Sequence, residues 1–317
     1  MRKNHKYFFL LCFLFSSILY GQQSPFEPFS YRIFTPEVFN PAITGSRDYT
    51  RVNFISGISR LNNSQILSGS TRLRNKGNRS LNLPDISRFS NLGMGGFIYH
   101  NTFDSLYDVG GALSASYNMK LGRDALSFLA FGVSVKGLYS KKTITPEPPD
   151  TTSNSFFSPD LDAGVYYYCP QFFIGISVTN ILSFPSKPGF PVMMDNIISR
   201  QYLMTGGYRF VVSRTKSILI EPSLFLNFWE TSSLDGSSNH FHPAVKVYYK
   251  GSYIGYYMND PKDISLFMHL EFPVFFVGSY VEFPWNTNIP WRNNKLFIEV
   301  SAGINIGNSK NKVVKYW

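Results

Sequence analysis

The chain has 317 residues, with 30 Lys and Arg against 20 Asp and Glu, giving a net charge of +10. Its only cysteines are Cys12, inside an N-terminal apolar run, and Cys169, so the remainder can form neither an intrachain disulfide nor a thiolate metal cage. Charged residues make up 16% and aromatics 17%, whereas soluble domains carry about a quarter charged residues; no second apolar run is long enough for a membrane helix, which leaves alternating membrane strands as the class that fits.

Arg2, Lys3 and Lys6 precede an apolar run from Phe8 to about Leu19 and the small residue Gly21, the layout of a secretory signal over residues 1–21. Residues 22–47 follow, containing Phe39, Asn40, Pro41, Ala42 and Gly45. Pro41 fixes its own φ and keeps Asn40 out of helical conformations, while Gly45 is free to take a positive φ. The sequence therefore predicts a preformed corner in which the Asn40 amide satisfies backbone groups. We expect residues 22–47 to form a small hatch at the periplasmic end of a barrel lumen; a simple turn outside the barrel is the alternative.

From residue 48 the pattern has period two. In residues 108–120, Val109, Gly111, Leu113, Ala115, Tyr117 and Met119 share one face, and Gly110, Ala112, Ser114, Ser116, Asn118 and Lys120 the other. That run exceeds the five or six residues of an ordinary strand and matches a tilted membrane strand. The same reading predicts about fourteen strands near 48–58, 63–72, 90–100, 108–120, 125–139, 159–168, 171–179, 200–212, 216–228, 241–249, 252–258, 263–271, 274–282 and 295–307. The fold class is all-β, a transmembrane antiparallel barrel over residues 48–307, with a basic tail at 308–317.

Alternate connections are tight, such as Cys169-Pro170, Lys250-Gly251 and Phe272-Pro273, whereas those beginning at 141 and 180 are long and polar. Short turns face the periplasm in outer-membrane barrels, so this alternation predicts periplasmic termini. One long connection, 72–89, falls on the turn side and carries Arg72, Arg74, Lys76, Arg79 and Arg88. It is either a solvated basic loop or a docking surface for an acidic periplasmic partner.

Inward-facing Lys120, Lys136, Asp162, Arg209, Glu221 and Glu299 have mixed sign, which predicts a pairing network filling the lumen in preference to a selective ring of one charge. Trp285 and Trp291, in the connection 284–294, are candidates for gripping an external cargo or for the interfacial aromatic belt. His240 and His242 share a face but have no nearby acidic or Cys ligand to complete a metal set, and no serine nucleophile elbow is present. The sequence predicts no catalytic, cofactor or metal site and no nucleic-acid partner.

The ordered stretches "FNPAITGSR", "LRNKGNRS", "NLGMGGFIYH", "FGVSVKGLYS", "FSPDLDAGVYYYCPQFFIGISVTNIL" and "RQYLMTGGYRF" resemble the PorP/SprF family of outer-membrane proteins of the Bacteroidota. Ile43 and Thr44 replace the family's usual Tyr-Ala. The resemblance implies a non-enzymatic outer-membrane barrel of type IX secretion and gliding. Its implied partners are periplasmic ring proteins or cargo with C-terminal signal domains. A similar Asn-Pro-Ala hatch in FadL-like barrels suggests a competing role as a channel for small or hydrophobic molecules; a lipid enzyme at the rim is the third reading.

Overall fold

The structure is a computed structural model and describes residues 30–58, 62–74, 89–103, 106–121, 127–144, 152–182, 200–229, 239–260, 263–284 and 296–307. The expected leader and basic tail, and most of the long connections, lie outside the described residues.

A short helix, α1 (Ser30–Phe34), and two 3-10 turns, Pro36–Val38 and Pro41–Ile43, come first. The strands are β1 (Thr50–Ile58), β2 (Asn62–Arg74), β3 (Phe89–Phe103), β4 (Leu106–Leu121), β5 (Ser127–Ile144), β6 (Thr152–Tyr168), β7 (Phe172–Thr179), β8 (Gln201–Tyr208), β9 (Phe210–Ser213), β10 (Ile218–Trp229), β11 (Asn239–Tyr249), β12 (Ser252–Asp260), β13 (Asp263–Glu271), β14 (Phe275–Pro284) and β15 (Phe297–Ile306). Apart from β8 and β9, which do not pair with each other, consecutive strands pair antiparallel, and β15 returns to β1 in a register running from Thr50 opposite Ile306 to Ile58 opposite Ile298. The sheet is thus a closed ring with no free edge. Only Arg209 separates β8 from β9, and both pair with β10, so they form one stave of a fourteen-strand barrel.

The two faces of the wall are chemically opposite to those of a soluble barrel. Outward positions are apolar and exposed, including Ile98, Leu113, Val133, Val135, Ile176 and Ile254, with Leu113 reaching 77% exposure. Inward positions one residue away are buried and small or polar, as with Ser114, Ser116, Asn118 and Ser134. An apolar exterior of this kind is stable only against lipid.

The structure departs most from the expected pattern in two respects. β5 and β6 continue past the predicted strands, from Lys141 opposite Ser155 to Ile144 opposite Thr152, because a backbone ladder extends beyond the apolar belt without needing apolar side chains. The gaps between β1 and β2, β3 and β4, and β12 and β13 are also short, so loop length separates the two ends of the barrel less sharply than expected.

The interior is not uniformly polar either. Tyr31, Ile33 and Phe34 of α1 pack with inward-facing Ile55, Ile66, Phe97, Tyr257, Phe267 and Tyr280 as an apolar core inside the barrel. A lumen holding an apolar helix face must offer it an apolar partner, and these wall positions do so.

Candidate functional site in the barrel lumen

Residues 30–47 run down the inside of the barrel. Tyr31 stands beside Ser64 and Glu299, and burial, followed by Glu299, raises its hydroxyl pKa well above the ordinary value. Ser64 and Glu299 both face Gly57, near the loop end of β1, whereas Thr50, at the other end of β1, follows directly on the segment. The segment therefore spans much of the lumen and is not confined to the turn end, where the sequence placed it.

The Asn-Pro-Ala corner docks on the wall. Asn40 is extended (φ −137°, ψ 103°) and caps the Pro41–Ile43 turn by accepting from the Ala42 N–H at 3.0 Å. Its Nδ2 donates to the carbonyls of Val165 on β6 and Ile176 on β7, at 3.3 and 3.5 Å. Ser177 Oγ donates to the Phe39 carbonyl at 2.7 Å, and Ser116 Oγ donates to the Thr44 carbonyl. Gly45 has φ 68°, a left-handed conformation that costs glycine little.

The wall meets the corner with glycines. A Cβ on Gly132 would lie 2.2 Å from the Ala42 nitrogen, one on Gly164 2.1 Å from Asn40 Oδ1, and one on Gly93 2.5 Å from the Thr44 carbonyl oxygen. Inward glycines thus form a cradle in which Gly93 on β3 and Gly132 on β5 let backbone approach backbone, and Gly164 on β6 and Gly175 on β7 leave room for the Asn40 side chain.

Beside the segment lie two polar clusters. In one, Glu221 takes Arg209 at 2.7 Å, Lys246 at 3.1 Å and the Tyr248 hydroxyl at 3.3 Å. In the other, Glu271 is 2.8 Å from His269 Nε2 and 3.7 Å from Arg51, and accepts from Asn305 at 2.6 Å. Arg51 also lies 3.7 Å above the Phe276 ring. Between the clusters and the segment is a cavity of about 440 Å³ that reaches the turn rim at Ser217, Lys250 and Gly251. Among the described residues no group of three or more His, Cys, Asp and Glu stands together as a metal site.

With a fourteen-strand ring, an apolar exterior and an Asn-Pro-Ala corner inside, comparison with known families is decisive. Residues 21–308 match the family described as type IX secretion system membrane protein PorP/SprF. The chain belongs to the PorP/SprF family. No curated protein matches it. Among solved structures, this PorP/SprF chain is similar to Omp33 of Acinetobacter baumannii, at 10% identity and TM-score 0.47, covering 83% of this chain and all of that one. It is also similar to BamA of Haemophilus ducreyi lacking POTRA domains 1–3, at 8% identity and TM-score 0.40, covering 82% and 71%, and to outer membrane phospholipase A of Escherichia coli, at 9% identity and TM-score 0.33, covering 82% and 90%.

In the PorP/SprF barrel the predicted lumen residues divide. Lys136 and Asp162 pair at 2.6 Å, with Ser134 and the Asn180 N–H also on Asp162. Arg209 and Glu221 form the ion pair above, and Glu299 is fully buried near Tyr31. Lys120 is exposed at the turn end of β4, one residue before the strand stops, and joins none of these clusters.

Arg72 requires correction as a docking candidate. Arg72 was read as both the last residue of a strand and the first of the basic connection; it belongs to the ladder of β2, which continues to Arg74, and it points into the lumen, where it is buried, faces Asp48 at 3.7 Å and lies 4.9 Å from the Phe128 ring. Arg74 ends the same strand, while Lys76, Arg79, Arg88, Trp285 and Trp291 lie outside the described residues. Sequence reasoning missed Arg51, Lys246, Tyr248, His269 and Glu271, whose signal was their position on the inward parity of β1, β11 and β13.

Proposed function

We propose that this protein is a non-enzymatic outer-membrane component of type IX secretion or gliding. In this reading it assists secretion or surface anchoring of cargo, or links the barrel to the periplasmic ring, with both termini in the periplasm. The observation that carries the proposal is the family match over residues 21–308. It is supported by a lumen already occupied by residues 30–47 and by an apolar core, which leaves the two rims as the surfaces for macromolecular partners. Purification of the full chain in mild detergent from its native membrane, followed by identification of co-purifying proteins, tests this. Recovery with ring proteins or with a large secreted cargo is the expected result. A barrel recovered alone that conducts ions in planar bilayers refutes it and favours the second reading, a channel for small molecules. That second reading is favoured by the cavity of about 440 Å³ at the turn rim.

A further inference from the structure

The cavity beside residues 30–47 faces more cationic than anionic groups. Its three carboxylates are already engaged: Glu221 with Arg209 and Lys246, Glu271 with His269, Arg51 and Asn305, and Asp48 with Arg72. Arg47 and Lys250 line the same space, and neither forms an ion pair with a carboxylate of the described residues. Arg47 is half-buried, just ahead of β1. Burial is the largest influence on it and acts against its charge, yet Tyr49, Glu37 and Glu271 together hold its pKa above the ordinary value. The guanidinium therefore remains a cation at the wall of a partly enclosed volume.

Such a group attracts an anion, because removing a charge from water is costly and a charge-assisted bond to a carboxylate offsets part of that cost. The other walls are flat rings, among them Tyr166, Phe173, Tyr248 and Tyr253. Aromatic faces accept an apolar or aromatic body by offset stacking. The cavity's size, about 440 Å³, lies within the range of roughly 300–1,000 Å³ for small-ligand sites.

We propose that this cavity binds a carboxylate carried on an apolar or aromatic body, with Arg47 as the recognising cation and Lys250 at the mouth. The same chemistry is presented by a free small acid and by the last residue of a peptide chain. The approach is from the turn rim, where Ser217, Lys250 and Gly251 border the opening. The site is independent of which proteins meet the rims, so it stands or falls separately from the secretion reading.

The test is calorimetric titration of the purified full-length barrel in detergent with four probes. These are 3-phenylpropanoate, its amide, a tripeptide ending in a free phenylalanine carboxylate, and the same tripeptide amidated. At least one of the two acids is expected to bind, with its amide about tenfold weaker or more, the loss that follows from one charge-assisted bond. Binding by both acids assigns the site to free acids as well as chain ends; binding by the peptide acid alone assigns it to chain ends. Arg47→Gln is expected to weaken the acid by about the same factor, and Lys250→Gln, at the exposed rim, by a smaller factor without disturbing the fold. Unchanged mobility of the unheated band in detergent electrophoresis checks that each variant is folded. Equal affinity for acid and amide, wild-type binding by both folded variants, or no binding by either acid up to about 1 mM overturns the proposal.

Discussion

A Cβ on Gly164 would stand 2.1 Å from Oδ1 of Asn40, so this wall position and the luminal corner meet only because one of them has no side chain. The contact at Gly132 is stricter, since its Cβ would meet the backbone of Pro41 and Ala42 at 2.3 and 2.2 Å. At Gly206, on the outward face of β8, the nearest atom would be the Phe173 carbonyl oxygen at an ordinary 3.6 Å. Gly132→Ala is therefore expected to destabilise the barrel by about 1–3 kcal/mol, the usual range for overpacking, and Gly206→Ala to leave it near wild type. Urea titration in detergent, followed by electrophoretic mobility, distinguishes them.

Asn40 donates to two wall carbonyls and accepts from its own turn. Asn40→Ala is expected to cost about 1–3 kcal/mol by leaving buried groups unsatisfied. Asn40→Asp keeps the cap acceptor but directs an anionic oxygen at Val165 and Ile176 carbonyls, so it is expected to be worse than alanine at neutral pH. The same urea titration ranks the two, and an aspartate variant as stable as wild type would show that the amide donor is unimportant.

Glu221 is fully buried between Arg209 and Lys246. Removing it leaves two cations close together without their common counter-ion. Glu221→Gln is expected to destabilise by about 3–5 kcal/mol, as when one partner of a buried pair is lost. The double variant Glu221→Gln with Lys246→Met should recover part of that loss, measured as coupling in a double-mutant cycle.

Residues 30–46 occupy the lumen, so their deletion is expected to raise single-channel conductance in planar bilayers. If conductance is the same with and without the segment, it does not obstruct the path through the barrel.

Among the described residues Leu113 is the most exposed large apolar side chain on the wall. Leu113→Arg is expected to lower folding stability in lipid vesicles by about 2–4 kcal/mol if the position is near the bilayer midplane. Wild-type stability for this variant would place β4 differently relative to lipid.

Strand positions were legible because the period-two pattern is local: within β4, Leu113 and Ser114 announce their faces without reference to any other strand. The Arg72 error arose where that pattern was read one step short. Its even-numbered place on β2 already put it inside with Ser64, Ser68 and Ser70, but its charge suggested a loop. Glu221 and Lys246 were each legible as inward groups, yet their meeting depends on the β10–β11 register, which places Glu221 directly opposite Lys246. The glycine cradle left a fainter trace. Gly93, Gly132, Gly164 and Gly175 are inward glycines on strands that are mutually adjacent or close in the sheet, and only with the registers in hand do they fall beneath one corner.

The seam between β1 and β15 joins the first wall strand to the last along nine residue pairs. The segment it encircles precedes β1 in the chain and is gripped by β4, β5, β6 and β7. Closure therefore narrows the routes of assembly. The corner either settles on the nascent half-shell before the final hairpin swings round or, once the hoop is latched, is threaded in through an end.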